Sequence, residues 1–478
     1  MSKISFFAFF TSCLLGSIAS PPPAAAQTNP AQPLLMKDAI QTAIRNYGII
    51  KAKDNYVSAS KESVKQTKRE YLPNLSLAAQ QDFGTINGQN GPLTAAGGLS
   101  TASSGPALAQ QNWNAAFGAL YLSNINWDFF TFGRMREKIN VSKAMLMRDE
   151  NDLSQEIFQH EIRVSAAYLN LLAAQRLTKS QQKNLERALI FKNNASIRAA
   201  NGLIAGVDSS LANAEVSSAK IALTKAIDLQ QEQASRLGIL LGVSAVSFTL
   251  DTAFITHVPQ NILVSGSNAS ADTVSLSHHP LLQYYKNRID VSDQQANYYR
   301  KLAYPTLSFI GVMQGRGSGF SSDYASNQQA YTHNYGDGIN PTRGNYLFGL
   351  GLSWNLTSIL RTAPQVKAQR YISSGLNDEY QQLDQQLHAQ LQLAENKITN
   401  AMQNYNEAPI QVKAASDAYL QKSTLYKNGL TTLIDLTQAL YALNRAETDR
   451  DIAYTNVWQA LLLKAAATGD YNLFINEF

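Results

Sequence analysis

The chain has almost no cysteine, because Cys13 is the only one among 478 residues. A disulfide scaffold and a thiolate zinc site are therefore excluded. Charged residues make up only 16% of the chain, and the net charge is +5. Such a small and scattered excess excludes a nucleic-acid-binding surface, so no nucleic-acid partner is expected. The six histidines show no metal-ligand spacing, so neither a metal site nor another cofactor is predicted.

Long apolar runs are also missing after the first thirty positions, which excludes a transmembrane helix. The N-terminus resembles a secretory signal: a basic residue precedes the apolar stretch 4–18, and Ala24-Ala25-Ala26 follows. We predict that residues 1–26 are a signal peptide of an exported protein. Lipidation of Cys13 is the alternative, but the residues before it fit a lipoprotein signal poorly.

Proline and glycine are absent between residues 134 and 201. A continuous helix over this stretch would be roughly 100 Å long, far beyond an ordinary globular helix. Apolar side chains at three- and four-residue spacing, among them Val164, Tyr168 and Leu171, predict a packed seam along it. A long solvated coiled coil would show the same periodicity, so the pattern alone leaves that alternative open.

The sequence repeats itself at offsets of 227 to 232 residues. The matching segments are 72–77 with 304–309, 126–128 with 353–355, and 201–208 with 428–435. We interpret this as a tandem duplication. The predicted organisation is a first repeat at 27–242, an inter-repeat segment at 243–275, a second repeat at 276–468 and a C-terminal tail at 469–478.

Each repeat is predicted to contain a helix, two strands, a long helix, a turn and a shorter helix. In the first repeat these elements are expected at 35–70, 73–83, 113–131, 135–201 and 208–242. In the second they are expected at 276–303, 305–315, 345–358, 364–428 and 435–468. Pro409 is expected to kink the second long helix.

The predicted strands alternate between apolar and polar residues. From Trp113 to Phe129 the odd positions are mostly aromatic or aliphatic, and residues 345–357 alternate in the same way. This is typical of the wall of a transmembrane β-barrel, although a half-buried soluble sheet alternates too. Unpaired sheet edges are costly in lipid and four strands are too few for a barrel, so several chains are expected to build one.

The duplicated plan, the Leu72-Pro73-Asn74-Leu75 and Tyr304-Pro305-Thr306-Leu307 segments, residues 126–134 and the two glycine turns together resemble the TolC-type outer membrane efflux proteins. The resemblance implies an α+β membrane protein. In such proteins three identical chains close a trimeric, twelve-stranded outer-membrane β-barrel, which a long periplasmic α-helical barrel continues. It also implies that the chain has no catalytic chemistry.

The resemblance further assigns roles to individual residues. Asp208 and Tyr426 match positions of the periplasmic gate, where hydrogen bonding holds neighbouring helices in a closed tip. Asp435 matches an acidic position in the selectivity constriction, and Gln438 stands where some relatives carry a second acid. The other candidates are the tip turns Gly202 and Gly429, Pro73 and Pro305 at the start of barrel strands, and the lipid-interface aromatics Trp127 and Trp354.

Two of these assignments have a simpler alternative. Asp208 and Asp435 each follow a turn, where aspartate is common as a helix cap, and this role is compatible with the first. Thr431 stands where some relatives have a basic residue that helps to hold the tip shut.

The implied function is the exit duct of a tripartite efflux or type I secretion system. It would lie in the outer membrane of a Gram-negative bacterium and extend into the periplasm. The implied partners are two sister chains (a homotrimer), a periplasmic adaptor (membrane fusion) protein, an inner-membrane pump of the RND, ABC or MFS type, and outer membrane lipids. Drugs, metals or polypeptides would be the cargo. The alternative is a periplasmic coiled-coil adaptor protein without a membrane barrel.

Overall fold

The computed structural model describes residues 33–88, 105, 107–202, 205–244, 247–251, 258–259 and 276–477. The helices are α1 (Met36–Asn46), α2 (Gly48–Arg69), α3 (Arg134–Ala200), α4 (Gly206–Leu241), α5 (Pro280–Lys301), α6 (Tyr335–Ile339), α7 (Ser358–Lys427), α8 (Leu433–Thr468) and α9 (Asn472–Ile475). The strands are β1 (Asn74–Thr85), β2 (Ala115–Phe130), β3 (Thr306–Ser318) and β4 (Arg343–Ser353). The predicted signal peptide, with Cys13, and most of 243–275 lie outside the described residues.

The four strands form one antiparallel sheet in the order β1-β2-β3-β4. Their register aligns the predicted apolar positions in rows across the sheet. One row contains Leu77, Ser123, Met313 and Tyr346, and the next contains Leu75, Ile125, Gly311 and Phe348. In the described part of a single chain, β1 and β4 each pair along one edge only.

This apolar face is open to solvent in the single chain. Leu75, Leu77, Leu350 and Leu352 are between 60% and 79% exposed. A soluble sheet would bury such a face against a second layer. The half-buried soluble sheet that the alternation also allowed is therefore not what the chain forms by itself.

The first predicted helix, at 35–70, is broken in two at Tyr47. This residue has an extended backbone, with φ −66° and ψ 119°, between α1 and α2. Its ring stacks on His160 of α3 at a centroid distance of 3.8 Å. The break in the helix therefore coincides with a tertiary contact. The helical periodicity of residues 35–70 did not predict this break.

The second repeat differs from prediction where the sheet joins the long helix. β4 ends at Ser353, five residues before the predicted end at 358, and α7 begins at Ser358 instead of 364. Consequently Pro364 is the seventh residue of the helix, one turn past the first turn that proline fits best. Pro409 lies inside the same helix, and the kink expected at this residue stays a prediction.

The helices pack around the two long ones. α3 contacts α2, α4 and α5, while α7 contacts α5 and α8, so α5 lies against both. The largest apolar core forms where α1, α3, α4, α8 and α9 meet, and it includes the predicted seam residues Val164, Tyr168 and Leu171. Within the predicted tail, α9 buries Phe474 completely in this core. None of the described helices holds an apolar stretch long enough to cross a membrane.

Candidate gate at the helix tip

Both long helices end in a glycine turn. α3 ends at Ala200 and α7 at Lys427, and Gly202 and Gly429 follow with φ of +68° and +76°. Glycine adopts this left-handed backbone without the strain that a side chain would bring. The two turns are neighbours, because the end of α3 contacts the end of α7.

Tyr426 lies in the last turn of α7 and is only 5% exposed. Its ring packs against Phe191 of α3 at 5.9 Å between centroids. Together with Ala195, Ala212, Leu433 and Leu436 these two rings form the apolar cluster of the tip. The Tyr426 hydroxyl has no hydrogen-bond partner among the described residues. Burial raises the pKa of Tyr426, the charge of Arg198 lowers it, and that of Asp208 raises it.

Asp208 is the third residue of α4 and is half-buried. The residue before this helix is Ala205, which provides no side-chain cap. Asp208 is close enough to influence the pKa of Tyr426, but within the described part of one chain no hydrogen bond joins the two side chains.

Asp435 occupies the corresponding position in α8 but is held differently. Thr432 caps the helix: its hydroxyl accepts a hydrogen bond from the Asp435 amide at 3.2 Å and donates to Asp435 Oδ2 at 2.8 Å. The hydroxyl of Thr431 also donates to Oδ2 at 2.8 Å. These hydrogen bonds, with a smaller contribution from the charge of Lys422, lower the pKa of Asp435. Asp435 is thus not the N-cap itself but the third helical residue of a capping box whose N-cap is Thr432, and Gln438 is exposed one turn later.

Arg198 contacts this site, although the sequence analysis did not single it out. Its guanidinium lies 5.1 Å from the centre of the Tyr426 ring, and Nη1 donates to the Tyr426 carbonyl oxygen at 2.6 Å. The only sequence signal was a basic residue in the last turn of α3, which is usually read as an interaction with that helix's own C-terminus.

At the other end of the long helices, the predicted lipid-interface tryptophans fasten the sheet to the helices. Trp127 Nε1 donates to the Tyr71 carbonyl oxygen at 2.8 Å, and Trp354 Nε1 donates to that of Ala303 at 3.0 Å. Both acceptors lie two residues before the prolines that precede β1 and β3, Pro73 and Pro305. The duplicated sequence thus builds the same junction twice.

Comparison of the sequence with models of known protein families gives a match over part of the chain. Residues 39–243 match the family described as outer membrane efflux protein. The recognition made from the sequence is thereby confirmed, and because the family is one of channels, so is the expectation that the protein is not an enzyme. No relative was found among curated proteins.

Three solved structures of outer membrane or transmembrane channel proteins share the fold over 91% of this chain. The outer-membrane channel OprN matches with a TM-score of 0.70 and 15% identity over 89% of its own chain. CusC, for which transmembrane channel formation is described, matches with 0.73 and 12% over 92%. The outer membrane protein VceC from Vibrio cholerae matches with 0.69 and 15% over 96%. At such low identities these likenesses show the fold alone.

Proposed function

We propose that this protein is the outer membrane exit duct of a tripartite efflux system. In this proposal three copies close a twelve-stranded barrel through the outer membrane of a Gram-negative bacterium, and their helices continue the duct into the periplasm. The observation that carries the proposal is the four-stranded sheet with an open apolar face and two unpaired edges, β1 and β4.

The sheet supports closure by sister chains. Lipid offers no hydrogen bonds to an unpaired strand edge, so each exposed backbone group would cost several kcal/mol there, and only a closed barrel removes the edges. All four strands are antiparallel and their order follows the sequence, so β1 of one copy and β4 of the next are the edges free to pair. The face with Leu75, Leu350 and Leu352 would then contact lipid.

The helices support the length of the duct. α3 has 67 residues and α7 has 70, and each would span about 100 Å if straight. Such helices reach from the membrane-embedded sheet deep into the periplasm. Many apolar side chains of α7 are exposed in the single chain, among them Leu360 and Tyr371, and neighbouring copies would cover them.

The tip would be the gate. A buried hydroxyl without a partner costs about 1–3 kcal/mol, so the closed trimer is expected to give Tyr426 one. Asp208, whose charge raises the pKa of Tyr426, is the acceptor that we propose. Threefold repetition of Asp435 would place an acidic ring at the constriction, with Gln438 as a neutral position beside it.

A periplasmic adaptor and an inner-membrane pump of the RND, ABC or MFS type would complete the system. The cargo would be drugs or metals, or polypeptides if the system is one of type I secretion. The alternative of a periplasmic adaptor is not favoured, because it would lack the four-stranded sheet with its exposed apolar face.

The direct test is pore formation by the purified full-length protein in planar lipid bilayers. Stepwise current increases of uniform size are expected after extraction from the outer membrane fraction. A protein that fractionates with the soluble periplasm and produces no current steps would refute the exit-duct function.

A further inference from the structure

The side chain of Arg198 connects the end of α7 to α3 by a polar contact, beside the apolar packing of Phe191 on Tyr426. The guanidinium Nη1 donates to the Tyr426 carbonyl oxygen at 2.6 Å. The same group lies over the Tyr426 ring at 5.1 Å, and a Cβ built on Gly429 would be 3.6 Å from Nη2. Arg198 therefore touches the last turn of α7 and the glycine turn that follows it.

This is a favourable place for a positive charge. The last carbonyl groups of a helix have no partner within the helix, and they carry the negative end of its dipole. A cation that also hydrogen-bonds to one of these carbonyl oxygens is stabilised more than a neutral donor would be. Because Arg198 belongs to α3, this capping contact connects the two long helices. The contacting residues, Arg198 and Tyr426, are 228 positions apart in sequence.

The contact runs from a side chain of α3 to the end of α7, and the duplication does not repeat it from α7 to the end of α3. At the repeat offset of 227 residues, the position equivalent to Arg198 is Leu425, and that of Tyr426 is Ala199. Leu425 has no side-chain donor, so this position cannot make a reciprocal hydrogen bond to the end of α3. Thr431 stands where some relatives have a basic residue. Its hydroxyl donates a hydrogen bond to Asp435 at the start of α8.

We propose that Arg198 is a latch within each chain, a positioning residue that keeps the tip closed by fixing the C-terminal end of α7 to α3. Any widening that moves the end of α7 away from α3 breaks the hydrogen bond to the Tyr426 carbonyl oxygen and uncovers the Tyr426 ring. The latch rests on the proposed gate at the tip, but it is independent of the Tyr426 hydroxyl, because Arg198 binds the backbone oxygen and the ring face.

The test compares Arg198→Gln with Lys192→Gln in planar bilayers. Lys192 lies on the same helix and makes no hydrogen bond or ion pair among the described residues, so its substitution removes the same charge without the contact. Arg198→Gln is expected to raise single-channel conductance, whereas Lys192→Gln stays at the native value. Arg198→Lys restores charge and one donor, so its conductance is expected between those of the native protein and Arg198→Gln.

Hydrogen exchange at residues 420–430 in detergent provides a second readout that does not depend on a pore. In Arg198→Gln the last turn of α7 is expected to exchange about tenfold faster, as the loss of one charged hydrogen bond predicts. Lys192→Gln leaves the exchange rate unchanged.

Native conductance in Arg198→Gln, or an equal rise in Lys192→Gln, would overturn the latch while leaving the channel function intact. If the native protein forms no pore, the proposed channel fails, and unchanged exchange at the end of α7 would then refute the contact as well.

Discussion

Asp208 and Asp435 are both the third residue of a helix that follows a tip turn, but only Asp435 is bound by hydroxyl groups at the start of its helix. The sequences differ four and three positions before each acid, where the second repeat has Thr431 and Thr432 and the first has Ile204 and Ala205. Asp435 is therefore bound at the start of its own helix, and we propose that the carboxylate of Asp208 instead makes a contact between helices.

Because the two acids differ in local hydrogen bonding, we expect them to respond differently to substitution. Asp208→Ala and Tyr426→Phe should each raise single-channel conductance, because each removes one partner of the proposed hydrogen bond between Tyr426 and Asp208, called the lock below. A hydrogen bond contributes about 1 kcal/mol, so its loss shifts a two-state gate roughly fivefold towards the open form. Planar bilayer recordings measure this shift. Conductance that stays native in both variants would count against the lock.

Asp435→Asn should lower cation selectivity and leave the pore intact. The reversal potential in a salt gradient should move towards that of a non-selective pore, because the acidic ring loses its charge. Gln438→Ala is the matched control, since it changes the same constriction without a change in charge. If both variants kept the native reversal potential, Asp435 would act as a helix cap alone.

The same measurement has a defined pH dependence. Hydrogen bonds from Thr432 and Thr431 lower the pKa of Asp435, so its carboxylate keeps its charge below the pH at which an ordinary aspartate is protonated. Cation selectivity should therefore persist when the pH is lowered from 7 to about 5. A loss of selectivity in this window would show that the carboxylate is not held as described.

His279 should make the fold sensitive to acid. Its ring is 3% exposed, and burial lowers its pKa, with a smaller opposing effect of the hydrogen bond to the Ala466 carbonyl oxygen. As the pH is lowered, His279 of the unfolded chain therefore binds a proton at a higher pH than His279 of the folded chain does. The stabilising contribution of neutral His279 is complete above about pH 6.5 and declines as the pH falls through that value.

Melting curves at a series of pH values test this expectation. Glu161, whose pKa burial raises to about 7, acts in the opposite direction, so the slope must be compared between variants. His279→Gln should flatten the fall of melting temperature on acidification. His278→Gln, at the exposed neighbouring position, should retain the native slope. Equal slopes in all three proteins would remove His279 as the cause.

A charge on the proposed lipid face should prevent assembly. Leu350→Lys places an ammonium group on the apolar face of β4, at an expected cost of about 2–4 kcal/mol near the bilayer midplane. Gly349→Lys is the matched control, because it lies next to Leu350 on the opposite face with open space around its Cβ position. Outer membrane fractionation should recover Gly349→Lys and not Leu350→Lys. Equal recovery would contradict the assignment of the two faces.

Local patterns predicted the elements of this fold, and tertiary contacts account for what they missed. Period-two alternation located the strands, and the absence of proline and glycine located α3. The break at Tyr47 accompanies stacking on His160, more than a hundred residues away in sequence, and its only local signal is the adjacent Gly48. At the tip, the threonine contacts of Asp435 are local and readable from the sequence, whereas Arg198 meets Tyr426 only after both long helices have formed.

In the proposed channel, sister copies close the edges of β1 and β4. Native mass spectrometry of the protein extracted from the outer membrane in detergent tests this, because it counts the chains in each particle. The proposed channel predicts particles with the mass of three mature chains. Particles with the mass of one chain would contradict it, since a single four-stranded sheet leaves two edges open in the membrane.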